Sequence, residues 1–453
     1  SRMGSVYHVQ EDTIAAVATP IGVGGIGIVR VSGPESAGIA VALMGRVPDS
    51  RQVMRAHFCD ADGAPLDDGI ALFFQEPASY TGEDVLELHG HGGPMVMHQL
   101  LEQVTTLGAR LARPGEFTER AFLNGKLDLV QAEAVADLIG SQTQAAVRAS
   151  LRSLSGDLSN ILTAISKEIG ELRTYIEADI DFSEEPLDPL SETGTANRLA
   201  GVQRDLARVL EQVRTGALLG RGAAVVLAGV PNAGKSSLMN TLSKADRVIV
   251  SEEPGTTRDV VEVTIDCAGL AIHLTDTAGL RDSQDKIEGE GVRRAKAAMT
   301  QADLVLTVID DLVPFAGQQA VFSGLPDDIP RLMVYNKCDL SGRKMGIVSG
   351  QAQHAVAVSA KTGEGLSALE DQIKVILGWT GDFVETFMAR RRHVDALDGA
   401  KTHLAVASGH VGGAAELLAE ELRLAQVTLG GITGEVTTED LLGEIFSTFC
   451  VGK

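Results

Sequence analysis

The stretch that decides the fold is AAVVLAGVPNAGKSSLMN, residues 223–240, near the middle of the chain. Its first residues are almost all apolar and predict a buried strand, and the pattern G-x-x-x-x-G-K-[ST] follows at 229–236 before a helix. In this setting backbone N–H groups surround phosphate oxygens, Lys235 reaches the terminal phosphates, and the Ser236 hydroxyl binds Mg²⁺. The stretch therefore predicts a phosphate-binding loop.

The block around this loop, residues 218–380, alternates apolar runs with helical segments. Further runs lie at 260–266, 270–276, 304–311, 331–339 and 355–360. Continuous apolar runs are typical of strands that are buried on both faces of a mostly parallel sheet. The block therefore predicts a nucleotide-binding α/β domain.

Four more motifs follow the loop in order and predict guanine nucleotide binding. Asn336-Lys337-Cys338-Asp339 ends a strand, and the Asp339 carboxylate is suited to accept from the ring N–H and exocyclic amine of guanine. An Asp at the end of a strand and a Gly that senses the γ-phosphate are typical of this class. The predicted GTP-binding residues are Asn232, Ala233, Gly234, Lys235, Ser236, Ser237, Ser251, Glu252, Glu253, Pro254, Gly255, Thr256, Thr257, Asp276, Thr277, Ala278, Gly279, Asn336, Lys337, Asp339, Ser359, Ala360 and Lys361.

The residue after the Asp276–Gly279 motif is Leu280. Many GTPases place a glutamine there to orient the attacking water, and a leucine cannot do this. Hydrolysis therefore requires a cation, a partner or a distant side chain. Asn232 and carbonyl groups of the 251–256 loop are candidates to hold a monovalent cation near the β- and γ-phosphates.

Helical and mixed segments flank the nucleotide block. Residues 13–33 and the runs 69–76 and 84–93 are strand-like, so we predict a small α+β domain over 1–122. Apolar residues spaced by three and four from Leu151 to Ile176 predict one helix face. With helical patterns after residue 382 and Thr438 as a cap for a last helix, the chain divides into 1–122, a helical domain at 123–217 and 381–453, and the inserted domain at 218–380.

Composition limits the function classes. The chain has 453 residues and a net charge of −22, which gives no general attraction to nucleic acid or anionic lipid. Its four cysteines form no close pair, and no apolar run has the length of a membrane span, so we expect a cytoplasmic protein. No signal peptide opens the chain, and Ser1-Arg2 looks like a cloning remnant before a native Met3.

Motifs along the whole chain resemble the MnmE family of tRNA-modification GTPases, also called TrmE. They are YTGEDVLELHGHGGP (80–94), RPGEFTERAFLNGKLDLVQAEAVADLI (113–139), GVPNAGKSSLMN (229–240), PGTTRD (254–259) and the terminal FCVGK (449–453). The resemblance implies an α+β folate-binding domain, a helical domain and an inserted Ras-like P-loop G domain with a mostly parallel sheet.

The resemblance also implies function and partners. Members form homodimers through folate-binding N-terminal domains, pair their G domains in a potassium-dependent way and act with the flavoprotein MnmG. Together the two proteins modify carbon 5 of the wobble uridine in certain tRNAs. The one-carbon unit comes from 5,10-methylene-tetrahydrofolate, for which 5-formyl-tetrahydrofolate is an analogue, and glycine or ammonium supplies the amine. GTP is the substrate, and Mg²⁺ and K⁺ are the metal ions.

Family roles transfer to single positions of this sequence. Ser236 and Thr257 match the magnesium ligands, and Asn232, Ser251, Glu253 and Thr256 match the potassium site. Glu288 matches a glutamate that orients the attacking water indirectly. Arg30, Glu87, Lys126 and Lys453 match folate-binding positions, and Cys450 is a candidate catalytic thiol. Val23 stands where many members have an arginine, and Val451 replaces a common isoleucine.

Several of these residues also have structural interpretations. Glu288 lies in a charged stretch, where a solvated carboxylate is an alternative. Cys450 is either a packed thiol or a reactive group. His89 and His91 are either structural or directed at folate or tRNA, and Arg390–Arg392 is either a phosphate contact or a solvated helix face.

Two other functions compete with the leading one. A GTP-switched ribosome-assembly factor shares the nucleotide motifs, but such factors usually carry a basic appendage, whereas the flanking segments here are acidic. A folate-binding protein whose GTPase has only a structural role is the third hypothesis.

Overall fold

The computed structural model describes residues 12–181, 192–243, 262–276, 298–300, 302–318, 329–349, 354–379 and 386–452. The chain forms two compact units. One contains Ser1–Ala136, Ser153–Gln203 and Ala396–Lys453, and the other contains Asp137–Arg152 and Arg204–Asp395. The nucleotide block falls in the second unit. Both chain termini belong to the first.

The first unit contains a six-stranded sheet with the order β3-β4-β5-β2-β1-β6. All neighbouring strands are antiparallel except β1 and β6. The strands are β1 Ile14–Val17, β2 Gly24–Ser32, β3 Met54–Cys59, β4 Pro65–Phe74, β5 Val85–Gly92 and β6 Arg110–Leu111. The helices among them are α1 Ser36–Met44, α2 Pro94–Thr106 and α3 Glu116–Leu123.

Strands β2 and β5 alternate between the core and the opposite face of this sheet. Val29, Val31, Leu86 and Leu88 are fully buried in the core. Because successive side chains of a strand point to opposite faces, Arg30, Glu87 and His89 share the other face. The register pairs Arg30 directly with Glu87.

The remaining helices outside the nucleotide block are α4 Leu129–Gly140, α5 Gln144–Leu154, α6 Asp157–Asp181, α7 Glu192–Arg221, α11 Arg391–Ser408, α12 Ala415–Thr433 and α13 Glu439–Ser447. The prediction of one continuous stripe from Leu151 to Ile176 is wrong at its start. Gly156 has a φ of +86° between α5 and α6 and ends the regular helix. Leu151 is 48% exposed, whereas Leu158, Ile165 and Ile169 are buried.

The predicted cap of the last helix is confirmed. The Thr438 side chain accepts a hydrogen bond from the Leu441 N–H at 3.3 Å, in the usual N-cap arrangement. Buried Leu442, Ile445 and Phe446 form the inner face of α13. The cap fixes where this helix begins and hence where the tail after it emerges.

The second unit contains a seven-stranded sheet with the order β12-β13-β11-β10-β7-β9-β8. The strands are β7 Ala223–Ala228, β8 Glu262–Cys267, β9 Leu270–Asp276, β10 Leu304–Asp310, β11 Arg331–Asn336, β12 Gly346–Ile347 and β13 Ala355–Ala357. The helices are α8 Lys235–Ser243, α9 Cys338–Ser341 and α10 Leu366–Ile376, with a 3₁₀ turn at Phe315–Gly317.

The prediction of a mostly parallel sheet is confirmed. The five inner strands are parallel, and only the edge strands β8 and β12 are antiparallel. All seven residues of β10 are buried, as expected for a strand covered on both faces. The carboxyl ends of the inner strands meet at one edge, where ligands bind in open α/β sheets. Among the described residues, none of the helices is long and apolar enough to cross a membrane.

Candidate functional site

The phosphate-binding loop joins β7 to α8 and contains two left-handed residues, Asn232 (φ +65°) and Gly234 (φ +93°). A Cβ atom on Gly234 would lie 2.2 Å from the Asn336 Nδ2 atom. No side chain fits there unless Asn336 moves. Gly234 therefore allows the loop to pack directly against the motif at the end of β11.

Lys235 and Ser236 begin α8 and face the inside of the loop. The buried Lys235 ammonium donates to the carbonyl oxygens of Gly229 at 3.0 Å and Val230 at 3.1 Å. The Ser236 hydroxyl donates to Asp276 Oδ2 at 3.2 Å, at the end of β9. A hydroxyl and a carboxylate oxygen this close form the hard oxygen set that Mg²⁺ prefers, so these residues fit the ion.

Asn336 connects three of the predicted motifs. Its buried side chain donates from Nδ2 to the Ala233 carbonyl at 2.9 Å, and its Oδ1 accepts from the Ala360 N–H at 2.9 Å. The Thr241 hydroxyl donates to the Ala360 carbonyl at 2.7 Å. The structure thus brings together the phosphate loop, residues 336–339 and residues 359–361.

Residues 336–339 join the end of β11 to the start of α9 and are here called the guanine loop. Lys337 is left-handed (φ +66°), and its ammonium lies 2.6 Å from Asp310 Oδ2. Asp339 is exposed in the first turn of α9. Buried Ser359 accepts from the Thr362 N–H at 3.2 Å, and Lys361 is exposed. The exposed Asp339 carboxylate offers hydrogen-bond acceptors to a base, next to Lys337, whose ammonium is held by Asp310.

Part of the predicted nucleotide site lies outside the described residues. This holds for Ser251, Glu252, Glu253, Pro254, Gly255, Thr256, Thr257, Thr277, Ala278, Gly279 and Glu288. The same is true of Leu280 and of Lys453 from the predicted folate site. The assignments of these residues stay predictions.

The first unit holds the other predicted site. Arg30 on β2 and Glu87 on β5 form an ion pair with N–O distances of 2.9 Å, and their side chains are 16% and 15% exposed. His89 Nε2 lies 3.2 Å from the second Glu87 oxygen. Glu87 is therefore held between a guanidinium and an imidazole, and the neighbouring strand register explains why.

Two aromatic rings flank the Arg30 guanidinium, which lies 5.8 Å from the ring centres of both Tyr80 and Phe117. The Tyr80 hydroxyl is 2.9 Å from the Thr118 hydroxyl. Burial raises the pKa of Tyr80, so its hydroxyl stays protonated at neutral pH. Sequence reasoning did not single out these rings, although both lie inside the two N-terminal motifs.

The C-terminal tail reaches this ion pair within the same chain. Arg30 donates to the Gly452 carbonyl at 3.2 Å, and the Gly115 N–H donates to the Cys450 carbonyl at 3.4 Å. Gly452 has a φ of +95°, and a Cβ there would lie 2.6 Å from the Val17 carbonyl oxygen. Cys450 itself is exposed, which argues against the packed-thiol alternative.

The last helix holds the tail in place through apolar contacts. Phe446 and Phe449 pack at a ring-centre distance of 5.3 Å and join a buried cluster with Leu129 and Ala132 of α4. A Cβ on Gly115 would lie 2.6 Å from the Phe446 carbonyl oxygen, so the turn before α3 touches the end of α13.

Lys126 lies in the turn after α3 and is exposed. Its ammonium donates to the Pro77 carbonyl at 2.9 Å, and its stem packs at Gly82. The segment between Pro77 and Gly82 also carries Tyr80, which contacts Arg30. Lys126 therefore contacts the segment whose Tyr80 ring lies beside Arg30.

A network of charges supports the start of α3. Glu116 is 1% exposed and accepts from the Arg110 guanidinium and from the Arg113 N–H. Burial works to raise its pKa, but these hydrogen bonds outweigh burial and lower it to about 2. Arg120 bonds to Asp12 and Glu83. The network thereby fixes the helix that carries Phe117.

Two groups with open interpretations have local partners. His91 pairs with Asp67 at 2.8 Å, and this bond raises the pKa of the histidine. Arg390 pairs with Asp137 at 3.0 Å, while Arg391 is 93% exposed and 3.7 Å from Asp395. These contacts favour the structural interpretation for His91 and Arg390.

A phosphate loop tied to a guanine loop on a mostly parallel sheet defines a P-loop protein of the GTPase class, here combined with a second, antiparallel domain. The family described as "GTP-binding protein TrmE N-terminus" matches residues 13–126, and "MnmE helical domain" matches residues 129–450. The chain belongs to the MnmE family of tRNA modification GTPases.

Relatives that align over nearly the whole chain carry the name tRNA modification GTPase MnmE. The protein of Alkalilimnicola ehrlichii is 50% identical over 443 residues, covering 97% of this chain and 99% of its own. The Methylococcus capsulatus protein is 49% identical, covering 98% and 99%. The Nitrosococcus oceani protein is 50% identical over 445 residues, covering 98% and 97%.

Proposed function

We propose that this GTPase acts with the flavoprotein MnmG to add an aminomethyl or carboxymethylaminomethyl group to carbon 5 of the wobble uridine in certain tRNAs, using a folate one-carbon unit. The observation that carries the proposal is the arrangement at Arg30. A half-buried ion pair, two aromatic rings and the C-terminal tail converge there in a chain of the MnmE family. The relatives' name gives no support to the ribosome-assembly alternative.

In the nucleotide site, Asp339 accepts from guanine and Lys235 binds the terminal phosphates. Ser236 and Thr257 hold Mg²⁺, which offsets phosphate charge when bound. Asn232, Ser251, Glu253 and Thr256 hold K⁺. Glu288 orients the attacking water, because Leu280 cannot. The exposed position of Asn232 supports the potassium role, since its side-chain carbonyl oxygen is accessible to a cation at the phosphate loop.

In the folate site, Glu87 accepts from the pterin amine and ring N–H. Glu87 Oε1 lies 2.9 Å from two Arg30 nitrogens and Oε2 lies 3.2 Å from His89 Nε2, and a carboxylate has about four acceptor positions, so Oε2 keeps a position for a pterin donor. Arg30, Lys126 and Lys453 supply positive charge for the glutamate tail of the folate. Arg30 also holds the Gly452 carbonyl, two residues from the exposed Cys450, and this contact supports a role for the thiol at the site.

The proposal includes a homodimer formed through the N-terminal domains, tRNA as a partner and a cytoplasmic location. It keeps the domain division at residues 122, 217 and 380. Glycine or ammonium supplies the amine.

Reconstitution tests the proposal directly. The full chain, MnmG, tRNA, GTP, 5,10-methylene-tetrahydrofolate, KCl and glycine or ammonium are combined, and modified uridine is measured by mass spectrometry. We expect product only with the complete mixture, and GTP turnover faster in K⁺ than in Na⁺. Asn232→Ala should lose the K⁺ advantage, and Glu288→Ala should lose turnover by a factor on the order of 10²–10⁴ while keeping GTP affinity.

The omissions separate the parts of the proposal. Product formed without folate rules out the one-carbon role. Product formed without MnmG rules out that partner, and equal turnover in the two salts rules out the potassium site.

A further inference from the structure

Gln318 is a buried polar residue that no motif explains. It follows the 3₁₀ turn Phe315–Gly317 and is 1% exposed. Its Oε1 accepts from the Asp310 N–H at 3.0 Å, and its Nε2 donates to the carbonyl oxygens of Asp310 and Val313, both at 2.9 Å. Because a buried amide is costly to leave unpaired, these three bonds fix Asp310 relative to the turn.

Asp310 is the last residue of β10, and its carboxylate faces the guanine loop. Its Oδ1 accepts from the Leu312 N–H at 3.0 Å, and its Oδ2 lies 2.6 Å from the Lys337 ammonium. The parallel register places Asp310 beside Asn336, the first residue of that loop. A charge-assisted hydrogen bond at this distance is among the strong ones.

We propose that Gln318 is a positioning residue for guanine recognition. It fixes Asp310, and Asp310 fixes the end of the Lys337 side chain. The left-handed backbone fixes the other end, so both ends of the four-carbon stem are held two residues before Asp339. This inference rests on the proposed assignment of residues 336–339 to guanine.

A second aspartate supports the far end of the same loop without Gln318. Asp311 accepts from the Ser341 hydroxyl and from Arg343, whose guanidinium lies 4.3 Å above the Tyr335 ring. Loss of Gln318 therefore leaves the Ser341 end of α9 anchored and loosens its start, where Lys337 precedes Asp339 by two residues. The expected defect is one of base discrimination and not of folding.

The test uses Gln318→Leu in the full chain, with dissociation rates measured for GDP and for IDP, which lacks the exocyclic amine. We expect GDP to dissociate about tenfold faster, since a displaced Asp339 carboxylate makes a weaker charge-assisted contact with the exocyclic amine. The advantage of GDP over IDP should shrink, and for GTP hydrolysis KM should change more than kcat. Gln372→Leu is the matched control, because Gln372 bonds His354 on an exposed surface at 3.0 Å.

Asp310→Asn gives a second, milder test, because it keeps the shape and removes the charge that holds Lys337. It should reproduce the loss of discrimination, and the double variant should be no worse than the stronger single one. Wild-type GDP and IDP rates in folded Gln318→Leu and Asp310→Asn proteins would overturn the inference. So would an equal loss for GDP, IDP and ADP, which indicates a general structural defect.

Asp339→Asn separates this inference from the assignment on which it rests. If that variant keeps the preference for GDP over IDP, the guanine assignment itself fails. If it loses the preference while both Gln318→Leu and Asp310→Asn keep it, only the positioning role fails.

Discussion

The two sites of this chain are built in opposite ways. In the second unit, the phosphate loop and the guanine loop follow the carboxyl ends of parallel strands, so each motif is a short run of neighbouring residues. In the first unit, the ion pair lies across two antiparallel strands, and the carbonyl that completes it is 422 positions away in the sequence.

The two sites are also stabilised in different ways. The nucleotide site is enclosed by a sheet whose inner strands are buried on both faces, so a change in one loop strains its neighbours. The Arg30 site is closed by residues 450–452, which backbone carbonyls attach to Arg30 and Gly115. We therefore expect substitutions in the nucleotide site to lower nucleotide affinity directly. Substitutions in the Arg30 site should release the tail with little loss of stability.

Two glycines with nearly the same backbone geometry allow a direct comparison. Gly234 has a φ of +93° and Gly452 a φ of +95°, and a Cβ on either would meet a neighbour at less than 3 Å. An alanine at either position has the same strain from a left-handed backbone, about 1–2 kcal/mol. Any further difference comes from what surrounds the residue.

The largest effect is expected for Gly234→Ala. The added methyl displaces Asn336, which loses its bonds to Ala233 and Ala360. Two lost hydrogen bonds in a buried setting should lower GDP affinity by at least roughly a hundredfold, as measured by titration calorimetry.

Gly378→Ala is the control for this variant. It has a φ of +67° with nothing near the added methyl, so it should keep its affinity for GDP. Equal losses in both variants would show that backbone strain, and not contact with Asn336, is responsible.

The next largest effect concerns the pH dependence of the stability of the first unit. The pKa of Glu116 is lowered from 4.5 to about 2, so its contribution to the free energy of unfolding is complete above pH 4.5 and is lost as the pH falls toward 2. Glu116→Gln should destabilise this unit by about 3 kcal/mol at neutral pH, and the difference from wild type should vanish near pH 2.

The single tryptophan allows the second unit to be followed separately from the first, because Trp379 is buried in the second unit. Hydrogen exchange of β2 and β5 reports the first unit, and Trp379 fluorescence reports the other. A Glu116→Gln variant that shifts the tryptophan transition, or that keeps its deficit at pH 2, would contradict this account.

The sequence predicted more of the contacts around the phosphate loop than of those around Arg30, for a physical reason. Asn336, Lys235 and Ser236 act within contiguous motifs that end strands, so their types and spacing carry the information. Arg30 and Glu87 were named through family resemblance. Their partners Tyr80 and Phe117 were missed, because strand register and the path of the tail are not visible in local patterns.

The same limit applies to the fold. Long apolar runs predicted β7, β9, β10 and β11, since burial on both faces leaves a strong pattern. Strand β3 alternates with charged residues, β6 has two residues, and neither was predicted. Gln318 is the strongest case, because a glutamine in a loop carries no signal until its buried contacts are seen.

The smallest effect on stability is expected for Gly452→Ala. Its methyl would meet the Val17 carbonyl oxygen at 2.6 Å and the Ala18 Cα at 3.0 Å, and neither backbone atom can give way. The tail at 450–452 can lift off instead, at the cost of the Arg30 bond and the Cys450 carbonyl bond to Gly115. The free energy of unfolding should fall by about 1–2 kcal/mol at most. Hydrogen exchange at the Gly115 amide should become at least about tenfold faster, since that amide loses its acceptor.

Gly63→Ala, with a φ of +81° and nothing within reach, should leave the Gly115 amide protected. Full protection of Gly115 in Gly452→Ala would mean that the tail tolerates the methyl in place. In that case the tail would be as firmly enclosed as the phosphate loop.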